Sequence, residues 1–166
     1  DTLGSIAREK AGIIKPNIPV VSGVPRGVAA KMIASGARRA GAPLLALGAA
    51  FEFRLRRDRK GTRLDVRVGT QWMRGMALGL AGAHQAHNAA IAVATLTALR
   101  DRGWRVPDRA IRSGVARVRW AGRFEVLRKH PALVFDSAHN PAGCEALAAE
   151  LERFARGRTV VAILGA

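Results

Sequence analysis

Apolar positions along this 166-residue chain change period several times, and each change marks a new predicted element. Residues 2–11 (TLGSIAREKA) read as a helix, because Leu3, Ile6 and Ala7 follow the i, i+3, i+4 spacing of one buried face. The next position on that stripe is Lys10, and Gly12 stops the helix. Residues 19–23 form a short buried strand, 28–41 a helix closed by glycine, and 44–47 another strand. Residues 51–68 alternate apolar and charged side chains on both sides of a turn from Asp58 to Gly61, the pattern of a half-exposed β-hairpin. A strand at 73–80 follows, then a long apolar helix at 84–99 and a shorter one at 108–118, with Pro107 and Asp108 as start signals.

WAGRF, residues 120–124, separates this mixed α/β block from a second pattern. Residues 132–135 read as a strand, Asn140 and Pro141 as the cap and first turn of a helix that continues through 144–154, and 159–164 as a second buried strand. That order is a βαβ unit, which needs further elements to cover its sheet. The expected organisation is therefore residues 1–119 as part of one domain and 120–166 as the start of another, both incomplete, within a larger enzyme.

Composition narrows the function classes. With 49% hydrophobic and 24% charged residues the chain has a globular composition, and its longest apolar runs fall short of the ~18 residues of a membrane helix. There is no signal-peptide pattern, so the expected compartment is the cytoplasm and no membrane partner is expected. A single cysteine, Cys144, forms no internal disulfide, and no Cys/His cluster has zinc spacing. The net charge of +16 comes mostly from arginine and attracts anions. A basic nucleic-acid-binding module is one class it admits; against it stand the scattered cations, 5% aromatic residues and the lack of a known nucleic-acid motif.

Four places in the sequence carry candidate chemistry. Burial of Lys10 on its apolar stripe disfavours an ammonium and favours a neutral amine, which reacts as a nucleophile or takes up carbon dioxide as a carbamate. The alternative is a stem laid on the apolar face with its charge in water. GLAGAHQAHNAA, residues 79–90, runs a glycine turn into a helix start, a place that binds phosphate readily, with His84 and Asn88 on one side of the helix. Asn88 reads equally as a satisfied core amide. VFDSAHNPAG, residues 134–143, puts Asp136 at a strand's carboxyl end and His139 in the following loop, where open sheets bind ligands. Loop capping by Asp136 and a solvated His139 are the bland reading. Arg123 has the fork of donors that clamps phosphate, or it pairs with a surface carboxylate.

In order and wording, TLGSIAREKAGIIKP, AHQAHNAA, WAGRFEVL and VFDSAHNPAG together resemble the folylpolyglutamate synthase / dihydrofolate synthase family of the Mur ligase superfamily, from residue 1 to about residue 150. The resemblance implies the C-terminal part of a Mur-ligase-type central ATP-binding domain followed by the start of a Rossmann-like domain. It implies an ATP-dependent ligase that joins L-glutamate to dihydropteroate or to the glutamate tail of a reduced folate through an acyl phosphate. ATP and Mg2+ are the implied cofactors, and a monomer is expected. Lys10 matches the family's carbamylated lysine, which orients magnesium. Asn88, Arg123 and Asp136 match positions that contact ATP, and His139 belongs to the same nucleotide-side motif. Another Mur-type ligase, acting on a cell-wall precursor, would share this scheme. The sequence departs from the family in reading DSAHN for D-G-A-H-N and WAGR for W-P-G-R. It also lacks G-x-x-x-x-G-K-[ST] and the metal-binding histidine expected just before Asp1, so these residues alone are not expected to catalyse ligation.

Overall fold

The computed structural model describes residues 2–58 and 61–165. The first helix, α1 (Leu3–Ala11), is capped by Thr2, whose hydroxyl accepts from Ser5 N while Ser5 Oγ accepts from Thr2 N. It packs on α2 (Val28–Arg39), which crosses between β1 (Val20–Ser22) and β2 (Leu44–Ala46). These two strands pair in parallel, Val20 opposite Leu44, as a crossover helix requires.

The expected hairpin is present. β3 (Phe51–Asp58) and β4 (Gly61–Val68) pair antiparallel with Phe51 opposite Val68, and β5 (Gln71–Ala77) completes a three-stranded sheet. Lys60 and Arg59, in the predicted turn, lie outside the described residues. β5 starts and ends earlier than the predicted 73–80, which frees Leu78 and Leu80 to point elsewhere than the sheet ladder.

Alternation sends one face of this sheet inward, where Phe51, Leu64, Val66, Met73 and Met76 meet α3 (Ala83–Asp101). The matching stripe of α3 is small: Ala86, Ala90, Val93, Ala94 and Ala98 are buried. Large sheet residues thus pack against a helix whose backbone can come close. Ile111 of α4 (Asp108–Arg117) closes the core, 2% exposed.

The second region departs from the predicted βαβ unit. β6 (Glu125–Lys129), which the sequence reading missed, pairs antiparallel with β7 (Ala132–Phe135), and α5 (Pro141–Ala155) follows, its Asn140 cap accepting from Gly143 N at 2.8 Å. The expected buried strand at 159–164 is not formed: these residues are irregular and exposed, Val161 at 86% and Ile163 at 93%. A strand needs a neighbour to satisfy its backbone, and β7 already gives one edge to β6.

Candidate functional site

A cavity of about 720 Å³ opens between α3, α4 and the segment that joins the two regions. Its wall is mainly apolar, with Leu78, Leu80, Leu96 and Val115 among the lining side chains. Polar groups enter from two directions, His84, Gln85 and Asn88 from the first turns of α3 and Arg123 beside Trp120 from the joining segment. An apolar pocket with a few convergent polar groups is the usual form of a small-molecule site.

The glycines of GLAGA explain how α3 is placed. A side chain on Gly79 would stand 2.6 Å from the Ala116 carbonyl oxygen, so only glycine lets this turn lie on the end of α4. Gly79 N also donates to Val115 O at 3.0 Å. Gly82, the N-cap residue, has φ +108°, a region that L side chains rarely adopt.

Gln85 is the residue that sequence reasoning passed over. It is 6% exposed, its amide Nε2 donates to His84 Nε2 at 3.0 Å, and its Oε1 accepts from Asn88 Nδ2 at 3.3 Å. Two exposed side chains at the cavity are therefore oriented by one buried amide. A glutamine so close to the start of an apolar helix was the available signal, since a buried amide must find partners. His87 does something different, donating from Nε2 to Gly23 O at 2.8 Å and stacking on Phe53 at 5.9 Å, which ties α3 to the loop after β1.

Arg123 is placed by a turn that needs holding. Gly122 has φ +70° and Phe124 φ +48°, the latter strained for a side chain with a Cβ. Asp136 accepts from Phe124 N at 2.7 Å and from Ala138 N at 2.8 Å, and Glu125 accepts from Gly122 N at 2.9 Å. Ser137, where a glycine was expected, donates to Gly122 O from both N at 2.9 Å and Oγ at 3.0 Å. Phe124 meets Phe154 of α5 edge to face at 5.6 Å. Asp136 thus holds the joining turn and does not itself line the cavity. His139 is exposed, its Nδ1 donating to Ser137 O at 2.9 Å, and it too lies outside the lining.

Lys10 corrects the expectation of a buried amine. Its side chain is 74% exposed, 3.8 Å from Glu9, and it is not among the cavity residues. The stripe it extends is open as well, with Leu3 76% and Ile6 42% exposed, so that Ala7 alone is buried on α1. The packing of this short helix uses its small side chain, and apolar spacing by itself did not distinguish a buried face from an open one. Among the described residues no group of three or more His, Cys, Asp or Glu side chains could hold a metal. No described helix is long and apolar enough to cross a membrane.

No family model matches the chain. Curated relatives do. The dihydrofolate synthase/folylpolyglutamate synthase of Bacillus subtilis is 34% identical over 164 residues, 97% of this chain and 38% of the relative. The Escherichia coli protein of the same description is 34% identical over 161 residues, 97% of this chain and 35% of the relative. Among solved structures, the apo form of L. casei FPGS superposes with a TM-score of 0.85 at 31% identity, covering 92% of this chain and 38% of that one. An FPGS–AMPPCP complex gives 0.85 at 31%, covering 93% of this chain and 39% of that one. The chain spans less than two fifths of the length of these relatives.

Proposed function

The chain belongs to the folylpolyglutamate synthase / dihydrofolate synthase family, and from that premise we propose that the whole protein carrying these residues is an ATP-dependent ligase. It joins L-glutamate to dihydropteroate or to the glutamate tail of a reduced folate. The observation that carries this reading is the cavity, because it brings Asn88 and Arg123 together from elements 35 residues apart in number and lines the space between them with apolar side chains. An adenine base suits the apolar wall, with the Asn88 and Gln85 amides at its polar edge, and Arg123 offers a planar fork to phosphate. The complexes of FPGS with AMPPCP, and with AMPPCP and folate, support a nucleotide and a folate as the ligands.

In the proposed reaction ATP phosphorylates the acceptor carboxylate, and the glutamate amine then displaces phosphate from the acyl phosphate. The residues described here contribute the nucleoside cavity and the held Arg123, which would spread charge on the phosphate as it transfers. Asp136 acts by keeping the 120–124 turn in shape. His139 is proposed on the nucleotide side from its motif alone, since its ring is exposed and does not line the cavity. Residues 1–119 and 120–166 are proposed as parts of two domains whose junction forms the cavity. Lys10 is proposed, from the match of its stretch alone, as the lysine that takes up carbon dioxide; its carbamate would help to hold magnesium, which would supply charge to offset that of the transferring phosphate. The cell-wall alternative loses its footing, since the relatives found are folate enzymes.

The test is glutamate-dependent phosphate release from ATP by the whole protein, with dihydropteroate and tetrahydrofolate offered separately. Release is expected with at least one acceptor, and loss of at least about tenfold, roughly 1.4 kcal/mol, is expected in Arg123→Ala and in Lys10→Ala. Absence of release with both acceptors from a folded protein overturns the folate assignment. Unchanged release in Lys10→Ala overturns the carbamate.

A further inference from the structure

The face of the three-stranded sheet turned away from α3 has no use in the ligation chemistry proposed above. The strand register puts Glu52, Arg54 and Arg56 of β3 beside Arg67, Asp65 and Arg63 of β4, with Trp72 and Arg74 of β5 on the same side. Five arginines thus face two carboxylates. The carboxylates are already engaged: Asp65, 8% exposed, accepts from Gly75 N at 2.7 Å and meets Arg56 at 2.7 Å, while Glu52 meets Arg67 at 3.2 Å. Arg54 and Arg74 each hold their guanidinium carbon 5.1 Å from the centre of the Trp72 ring. Stacking on an aromatic ring fixes the plane of a guanidinium and leaves its N–H edge for a planar anion, chiefly a carboxylate. Arg54 lies 3.9 Å from Glu52, a loose pairing, and stays 69% exposed, so most of that edge faces solvent.

None of these arginines lines the cavity, but the β5 edge of the sheet runs up to it. β5 runs directly into Leu78 and Leu80, which line it, and Leu78 N donates to Thr62 O at 3.2 Å. On the other side, Arg112 of α4 donates to Arg74 O at 2.7 Å, next to Ile111 of the cavity wall. From Ala77 at the cavity end to Trp72 the strand covers about 17 Å at its ordinary rise.

We propose that this arginine face binds the poly-γ-glutamate tail of the folate, the substrate before and the product after each addition. The inference rests on the ligase reading above. Each γ-linked glutamate leaves one free carboxylate, so a tail presents a row of planar anions to a row of fixed guanidinium groups. Trp72 is engaged by two arginines and is not the open stacking platform that a single-stranded nucleic acid needs. Planar carboxylate recognition is what remains for this surface.

Two measurements on the whole protein test it, beside the Arg54→Gln/Arg74→Gln double variant. In the first, KM is compared for monoglutamyl and pentaglutamyl forms of one reduced folate. The variant is expected to raise the pentaglutamyl KM about fivefold or more, while kcat and the monoglutamyl KM stay as they were. The Arg54→Lys/Arg74→Lys pair, which keeps the charge and loses the planar fork, should fall between. Equal changes for both folates, or none, overturn the proposal. In the second, free γ-linked pentaglutamate is titrated by calorimetry. Binding that weakens in the double Gln variant and at high salt supports the surface even if no ligase activity is found, so the two readings fail separately. Binding of a single-stranded oligonucleotide without binding of the pentaglutamate overturns it.

Discussion

Residues 51–111 and residues 120–165 are held together by different means. In the first, Phe51, Leu64, Ala86, Ala90 and Ala94 have no exposed surface, and sheet and helix share one apolar layer. In the second, β6 and β7 leave Val126, Leu127, Leu133 and Phe135 more than 40% exposed, and the charged Glu150 is buried there as Asp65 is in the first. That region keeps its shape through polar staples: Asp136 to Phe124 N and Ala138 N, Glu125 to Gly122 N, and Ser137 to Gly122 O. Glu150 adds a link between regions, meeting Arg57 of β3 at 2.6 Å and Arg153 at 3.0 Å. The cavity sits where the packed region meets the stapled one, with one wall from α3 and α4 and another from the joining turn.

The largest expected effect comes from attacking the packed side. Phe51→Ala removes a ring with 0% exposure from the centre of the layer. A loss of roughly 3–5 kcal/mol is expected, from lost transfer energy plus a cavity that rigid neighbours cannot refill. Urea unfolding followed by far-ultraviolet circular dichroism measures it. A loss below about 1 kcal/mol would mean that this layer collapses around the gap, and the contrast between the regions would disappear.

A smaller and more local effect is expected on the stapled side. Asp136→Ala strips the acceptor from two backbone N–H groups, at Phe124 and Ala138, for a loss of roughly 1–3 kcal/mol. Because Phe124 then has less to hold its positive φ, the turn that carries Arg123 should relax. The readout is hydrogen exchange, faster in residues 120–138 and unchanged in residues 51–77. Uniformly faster exchange across both regions would show one cooperative unit and break the comparison.

How much of this was legible in the sequence follows the same division. Where alternation or helical spacing coincided with real burial, as in 51–68 and along α3, elements came out within a residue or two. The two strands β1 and β2 and the glycine-closed helix between them were equally readable, while their parallel pairing came only with the structure. Failures fall where the local pattern and the burial part company. Leu3, Ile6 and Lys10 have helical spacing and face out, and residues 159–164 are apolar enough for a strand but have no pairing partner among the described residues. β6 was hidden because EVLRK offers little alternation and pairs through a turn at His130 and Pro131. For the site, Asn88 and Arg123 were found and do share a cavity. Gln85 was not, since its partners are visible only once the helix turn brings His84 and Asn88 beside it. Asp136 was found as a residue of interest, yet its bonds to Phe124 N and Ala138 N depend on a fold-back that spacing cannot display.

The smallest effect concerns a polar staple set on the packed region, the Asp65 carboxylate on the outer face of the sheet. Its burial raises its pKa, but the Gly75 N–H and the Arg56 guanidinium outweigh this and hold it below its ordinary 3.8. A carboxylate with a lowered pKa in the folded chain contributes stability that is fully present above the ordinary value and lost as pH falls through the folded one. Asp65→Asn keeps an acceptor for Gly75 N and gives up the charge facing Arg56, which is 64% exposed, so a loss of no more than about 1 kcal/mol is expected at neutral pH. The difference between the two proteins should shrink as the pH is taken below 3.8, and urea midpoints between neutrality and pH 3 measure it. With Leu64 and Val66 packed beneath it on either side, the sheet should stay folded when this staple is gone. A difference that stays constant over that range would assign the effect to shape and not to charge. A loss as large as that of Asp136→Ala would show that the packed region, too, depends on its staples.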